Sequence, residues 1–189
     1  MSEHFDLVII GTGSGNTILD ERFEGWKVAL VERERFGGTC LNHGCIPTKM
    51  LVVPADLALE TQDGPRLGVD SRLDGVRWRD VRDRVFGRID PIVADGERYR
   101  RGQPHVTVLG GDGAFSGDKE LTVRIDGRPR VITADRFVLA VGARPVVPDV
   151  PGLVDAGFHT SDTVMRIEEV PHRLAILGGG FIAAELAHV

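Results

Sequence analysis

The chain has 189 residues, of which 42% are hydrophobic and 27% charged, with a net charge of −5. This is an ordinary globular composition, enough for one domain and part of a second. The arginines of 66–101 and 124–136 alternate with Asp and Glu, which argues against a nucleic-acid-binding face, and no stretch approaches the ~20 apolar residues of a membrane span. Residues 5–10 are too short and lack the basic start of a secretory signal, so a cytoplasmic protein is expected, where a disulfide is transient and catalytic rather than structural.

Phe5–Ile10 is an apolar run ended by Gly11 and reads as a buried parallel strand. Gly11–Gly15 reads as a tight turn, 16–24 as a short helix, and Lys27–Val31 as a second strand closing at Glu32, which together make a β-α-β unit. From Thr39 to about Glu60 the pattern is helical, interrupted by Pro47 and Pro54, and 61–75 is a Gly/Asp/Pro-rich loop. Val76, Val81, Val85, Ile89, Ile92 and Val93 recur at helical spacing and predict a long helix over 76–101, with Pro91 placed to kink it. After Pro104 the period changes: 106–109, 114–115, 121–125 and 131–133 read as short strands with Gly/Asp turns, and Phe137–Val141 as another buried strand. A proline-rich link then leads to Leu174–Leu177, read as a strand, a turn at Gly178–Gly180, and a helix from Phe181. The opening strand-turn-helix pattern therefore recurs, as in a duplicated nucleotide-binding unit.

The first turn carries Gly11 and Gly13 at two positions of Gly-x-Gly-x-x-Gly, with Asn16 at the third, Gly15 beside it, and the acid Glu32 about twenty residues on. Gly11 permits the turn, Gly13 lets backbone approach a pyrophosphate, the following helix N-terminus holds its charge, and Glu32 accepts from ribose hydroxyls.

Cys40 and Cys45 are the only cysteines. A ring this small removes little unfolded-state entropy, so a disulfide between them has poor structural value and the pair points to redox work. Cys40 stands near a predicted helix N-terminus, which would favour its thiolate. Zinc and inert structural thiols compete for the same spacing. Zinc needs about four ligands, however, and only His43 is close, so no metal site is expected.

The run Gly37-Gly38-Thr39-Cys40-Leu41-Asn42-His43-Gly44-Cys45-Ile46-Pro47-Thr48-Lys49 resembles the active-site signature of the class I pyridine nucleotide-disulfide oxidoreductases, with His43 where Val is usual. The resemblance implies an α/β fold: a Rossmann-like three-layer FAD-binding domain with an inserted β-meander over 1–150, then the truncated start of an NAD(P)H-binding domain over 151–189. It implies that Cys45 is the flavin-proximal sulfur, Cys40 the interchange thiol, and Lys49 a cation near the flavin that stabilises arriving negative charge. FAD contacts implied in the same way are Gly11, Gly13, Ser14, Gly15, Glu32, Gly38, Thr39, Cys40 and Lys49, with Gly113 near the adenine, Gly142 at the crossover and Ser161 beside the flavin. Gly178, Gly180, Phe181, Ile182 and Ala183 resemble the nicotinamide-dinucleotide motif. Phe181 takes the gating aromatic position, Ala183 in place of Gly points to NADPH rather than NADH, and Glu185 is implied as partner of Lys49.

Within the family, Gly11–Asn16, Phe86–Ile92 and His159–Arg166 are most similar to the branch that reduces mycothiol disulfide, a small-molecule disulfide. Lipoamide dehydrogenase is the alternative. The implied relay runs from NADPH through FAD and the Cys40–Cys45 disulfide to the substrate. Its proton donor would be a His-Glu pair from the partner subunit of a homodimer, which nothing in 1–189 matches. The 189 residues are therefore expected to be the N-terminal portion of a longer enzyme, weak in retaining FAD and inactive alone. The competing expectation is a flavin-binding module without turnover.

Overall fold

The computed structural model describes residues 3–189 and divides into two compact units, one of Met1–Asn42 with Pro91–Arg144 and the other of His43–Asp90 with Pro145–Val189. The first unit holds a six-stranded sheet built from β1 (Glu3–Ile10), β2 (Val28–Glu32), β3 (Val106–Gly110), β4 (Asp112–Gly117), β5 (Glu120–Ile125) and β6 (Arg128–Leu139), in the order β3-β2-β1-β6-β5-β4. β1 lies parallel to both of its neighbours, with Leu7 opposite Val28 on β2 and Arg136 on β6. A parallel strand covered on both faces needs an unbroken apolar run, and Phe5, Val8, Ile9, Val28, Ala29 and Leu30 are all fully buried. The antiparallel strand β5 instead buries only Leu121 and Val123 in alternation. Phe5, Val8, Ala29, Val31, Leu109, Leu121, Val123, Ile132 and Ala134 form the core of this unit.

The expected meander is β4-β5-β6, and it is continuous with the parallel sheet because β6 serves both. Its first half pairs antiparallel with β5 and its second half parallel with β1. The sequence suggested two strands here, divided at the polar pair Asp135-Arg136. The strand runs on through that pair because it lies past the end of β5, where both side chains can leave the sheet. Asp135 meets His4 at 3.4 Å, and Arg136 stacks over Trp26 at 5.0 Å.

Two other elements differ from expectation. The helix expected over 16–24 is two 3-10 turns, Ser14–Ile18 and Glu21–Phe23. Leu19 turns extended, and the Asp20 carboxylate caps the second turn by accepting the Arg22 N–H at 3.0 Å, a local bond that competes with continued helix. The strand expected at Leu174–Leu177 does not form: these residues have no strand partner, and Leu174 and Leu177 are exposed.

In the second unit the predicted helix over 39–60 is split at Gly44 into α1 (Gly38–His43, begun in the first unit) and α2 (Cys45–Asp63). α3 (Trp78–Arg101) is continuous through Pro91, and its residues 78–90 belong here. The remaining helices are the short α4 (Leu153–Ala156) and α5 (Phe181–His188). Segment 164–169 is stapled to α3: Trp78 Nε1 donates to the Ile167 carbonyl at 2.9 Å, and Arg166 forks onto Asp90 at 2.7 and 3.3 Å while stacking 3.7 Å over Phe86. α5 lies along α2 through Lys49–Glu185 at 2.5 Å and Asp56–His188 at 2.6 Å. Among the described residues no helix is long and apolar enough to cross a membrane.

Removing buried methylenes from the central strand costs both transfer free energy and a cavity. Ile9→Ala is therefore expected to lose about 2–5 kcal/mol in urea unfolding, while Val154→Ala, on the exposed α4, stays within about 0.5 kcal/mol. Equal effects would contradict the placement of the core.

Candidate functional site

The glycine turn after β1 is fixed by backbone crowding. Gly11 has φ +102°, and a Cβ there would sit 2.1 Å from the Ala140 carbonyl oxygen, so a side chain is excluded both by conformation and by space. Gly38 (φ +69°) comes so close to the turn that its Cβ would lie 2.5 Å from Gly13 Cα. The glycine pair before the cysteines thus lets that segment lie directly on the turn, and both stay within one unit.

Thr12, between the two turn glycines, is buried and ties three segments together. Its hydroxyl donates to Glu32 Oε2 at 2.7 Å and accepts the Gly37 N–H at 3.0 Å, while its own N–H donates to the same Glu32 oxygen at 3.0 Å. Glu32 Oε1 accepts the Glu34 N–H at 2.9 Å. A carboxylate offers about four acceptor sites, so these three bonds leave one for a ribose hydroxyl. Asn42 is also buried, and its Nδ2 donates to the carbonyls of Phe36 at 2.9 Å and Gly38 at 3.0 Å, pinning α1 to the turn that enters it. Sequence reading missed the roles of both Thr12 and Asn42. The only signal was a small polar residue inside each motif.

The remaining candidates of this unit are placed as follows. Ser14 opens the first 3-10 turn, and Gly15 follows it. Thr39 and Cys40 are exposed on α1, Gly113 lies on β4 opposite Val123, and Gly142 follows β6 with Thr39 Oγ1 3.9 Å from where its Cβ would stand.

In the second unit, Cys45 is the first residue of α2 and is exposed. The long helix thus starts at Cys45, whereas the sequence placed the helix start nearer Cys40. Thr48 is buried on α2; its hydroxyl donates to the Gly44 carbonyl at 2.7 Å and lies 3.6 Å from Met165 Sδ. Lys49 is exposed and held by Glu185. His43, the unusual residue of the motif, has Nε2 3.4 Å from Asp162 Oδ1, which anchors the segment containing Ser161. Gly178, Gly180, Phe181 and Ile182 are exposed with no strand before them, and Ala183 is half-buried on α5. The structure therefore brings together the first glycine turn, Glu32 and the Gly37–Cys40 segment. It does not build a strand-turn-helix at the second glycine turn. No cluster of three or more metal-ligating side chains occurs among the described residues.

The family model for pyridine nucleotide-disulphide oxidoreductases matches residues 5–189. Mycothione reductase of Mycobacterium tuberculosis is 50% identical over 192 residues, covering 99% of this chain and 41% of that protein. Mercuric reductase of Shigella flexneri is 34% identical, covering 96% of this chain and 33% of that protein. Among solved structures, the HOCl-induced flavoprotein disulfide reductase RclA of Escherichia coli superposes with a TM-score of 0.79 at 31% identity, over 96% of this chain and 38% of that one. The chain thus spans about two fifths of the length of the mycothione reductase it matches.

Replacing Thr12 by Val keeps its shape but strips Glu32 of a donor and leaves the Gly37 N–H without an acceptor. A loss of about 1–3 kcal/mol in unfolding free energy is expected, with Thr12→Ser close to the parent protein. A Thr12→Val protein as stable as the parent would contradict the three-way bridge.

Proposed function

The chain belongs to the pyridine nucleotide-disulphide oxidoreductase family, and from that premise we propose that it serves an FAD-dependent, NADPH-linked reduction of mycothiol disulfide through Cys40 and Cys45. The observation that carries the reading is the Thr12 bridge, which joins a dinucleotide-type glycine turn and its acid, Glu32, to the segment bearing the first cysteine. The identity to mycothione reductase supports the substrate.

The residues present fit FAD. The glycines clear side chains from the turn, so backbone N–H groups can approach a pyrophosphate, and Glu32 retains an acceptor for the ribose. Gly11, Gly13, Ser14, Gly15, Glu32, Gly38 and Thr39 would hold it, with Gly113 and Gly142 of the same unit as further contacts. Bound FAD supplies a two-electron carrier between a nicotinamide and the dithiol. Lys49, steadied by Glu185, provides positive charge where negative charge arrives.

The Cys40 thiolate attacks one sulfur of the substrate disulfide, that S–S bond breaks, and the first product leaves as a thiolate that takes a proton from water. The Cys45 thiolate, formed by loss of its proton to water, attacks Cys40 Sγ, the mixed disulfide breaks, and the second product leaves as a thiolate that is protonated by water. The Cys40–Cys45 disulfide remains, having passed two electrons to the substrate. NADPH as the electron source rests on Ala183. The second glycine turn is not preceded by a strand. A homodimeric cytoplasmic enzyme completes the reading.

The test is steady-state assay of a full-length, FAD-loaded enzyme carrying these residues, with NADPH and either mycothiol disulfide or lipoamide; the 189 residues alone are expected to show no turnover. Turnover of mycothiol disulfide is expected, falling at least about 1000-fold in Cys40→Ser and Cys45→Ser, and about 10- to 100-fold in Lys49→Met. Preference for lipoamide with NADH would shift the reading to a lipoamide dehydrogenase. Cysteine variants with full turnover would overturn it.

A further inference from the structure

The pyrophosphate-type turn lacks the element that usually follows it. A multi-turn helix ordinarily brings its N-terminal dipole to the phosphates, whereas here the chain makes a 3-10 turn of five residues, Ser14–Ile18, and then breaks at Leu19. So few aligned peptides carry little dipole, and 3-10 turns are weakly held. Something outside the turn has to supply charge and rigidity.

Arg100 occupies that position. It stands in the last turn of α3, only 8% exposed, within the same unit as the glycine turn. Its Nη2 donates to the carbonyls of Asn16 at 2.9 Å and Leu19 at 3.5 Å, and its Nη1 donates to Gln103 Oε1 at 3.0 Å. Asn16 is the residue at the third position of the glycine pattern, where the turn departs from Gly. Among the described residues no carboxylate lies within ion-pair distance of Arg100. Burial pushes its guanidinium below the ordinary arginine pKa, as follows for a cation taken out of water without a counter-charge. Buried charges are normally paired, because the desolvation cost is otherwise uncompensated. A cation on the carbonyl end of a turn offsets the negative pole there, so the positive pole at the amide end acts on an anion with less opposition.

We propose that Arg100 is a positioning residue for the cofactor's pyrophosphate: it clamps the Asn16 and Leu19 carbonyls, holds the shortened turn in shape, and supplies the positive charge that a full helix would otherwise give. The dianionic pyrophosphate is the counter-charge that its buried guanidinium lacks. This rests on the FAD reading above.

The experiment compares parent, Arg100→Met, Arg100→Lys and the half-exposed surface control Arg101→Met. Each apoprotein is titrated with FAD by flavin fluorescence, and with ADP and adenosine by calorimetry. Arg100→Met is expected to weaken FAD and ADP about 10- to 100-fold while adenosine, which has no pyrophosphate, changes less than about 2-fold. Arg100→Lys, which keeps the charge but cannot fork, is expected to lose about 3- to 10-fold, and remains informative if the Met variant fails to fold. Arg101→Met should match the parent. FAD binding at the parent level in both Arg100 variants overturns the proposal, and so does an equal loss for adenosine, which would make Arg100 a purely structural brace. A parent protein that binds ADP but not FAD sinks the flavin reading and this proposal with it, whereas normal FAD binding in the variants sinks this proposal alone.

Discussion

The Thr12 hydroxyl sits between two segments that the chain must keep in register. It donates to Glu32 at the end of β2 and accepts from Gly37 at the entrance to the cysteine segment. A buried hydroxyl with both its donor and an acceptor site engaged is a strict constraint, since losing either partner leaves a polar group dry at a cost of about 1–3 kcal/mol. The close approach of Gly38 to Gly13 depends on the same register, because neither backbone could come so near if Gly37 were held elsewhere. The glycine turn, its acid and the start of the redox segment are therefore set by one small network rather than by separate elements.

The two units solve different problems. The first is a sheet whose central strand is apolar on both faces, which makes it a rigid base for loops at the ends of its parallel strands. Gly11, Glu32 and Gly142 all lie at or just beyond the C-terminal ends of β1, β2 and β6, the place where open α/β sheets hold ligands. The second unit has less apolar packing to draw on and uses arginine forks, a tryptophan N–H and charged pairs between helices. Exposed ion pairs of this kind are worth about 0–1 kcal/mol each, so they set geometry more than stability. In that geometry Lys49 is oriented by Glu185, and His43 is turned toward Asp162.

Much of this was legible in the sequence because the signals were local. β1 and β2 followed from apolar runs ended by Gly11 and Glu32, the long α3 from 3.6-residue periodicity, and the family from thirteen consecutive residues around the cysteines. What was not legible depended on distant partners. Arg100 gives no sign in sequence that it will meet the Asn16 carbonyl 84 positions away. The helix expected after Gly15 was lost to a side-chain cap at Asp20 that local pattern does not weigh. The continuity of β6 through Asp135 and Arg136 required knowing where β5 ends. Leu174–Leu177 carries the composition of a buried strand, but composition does not provide the neighbour that a strand must pair with.

The glycine turn and the Gly37–Cys40 segment lie in one unit, and the proposed function has them serve one cofactor. Iodoacetamide alkylation of Cys40 and Cys45, resolved by peptide mass spectrometry with and without saturating FAD, decides whether they do. Both thiols are exposed in the structure, so reaction without cofactor should be rapid. Saturating FAD is expected to slow modification of Cys40, in the same unit as the turn, at least about tenfold, with weaker protection in Thr12→Val at the same FAD concentration. Unchanged alkylation of Cys40 in the presence of bound FAD would overturn that reading.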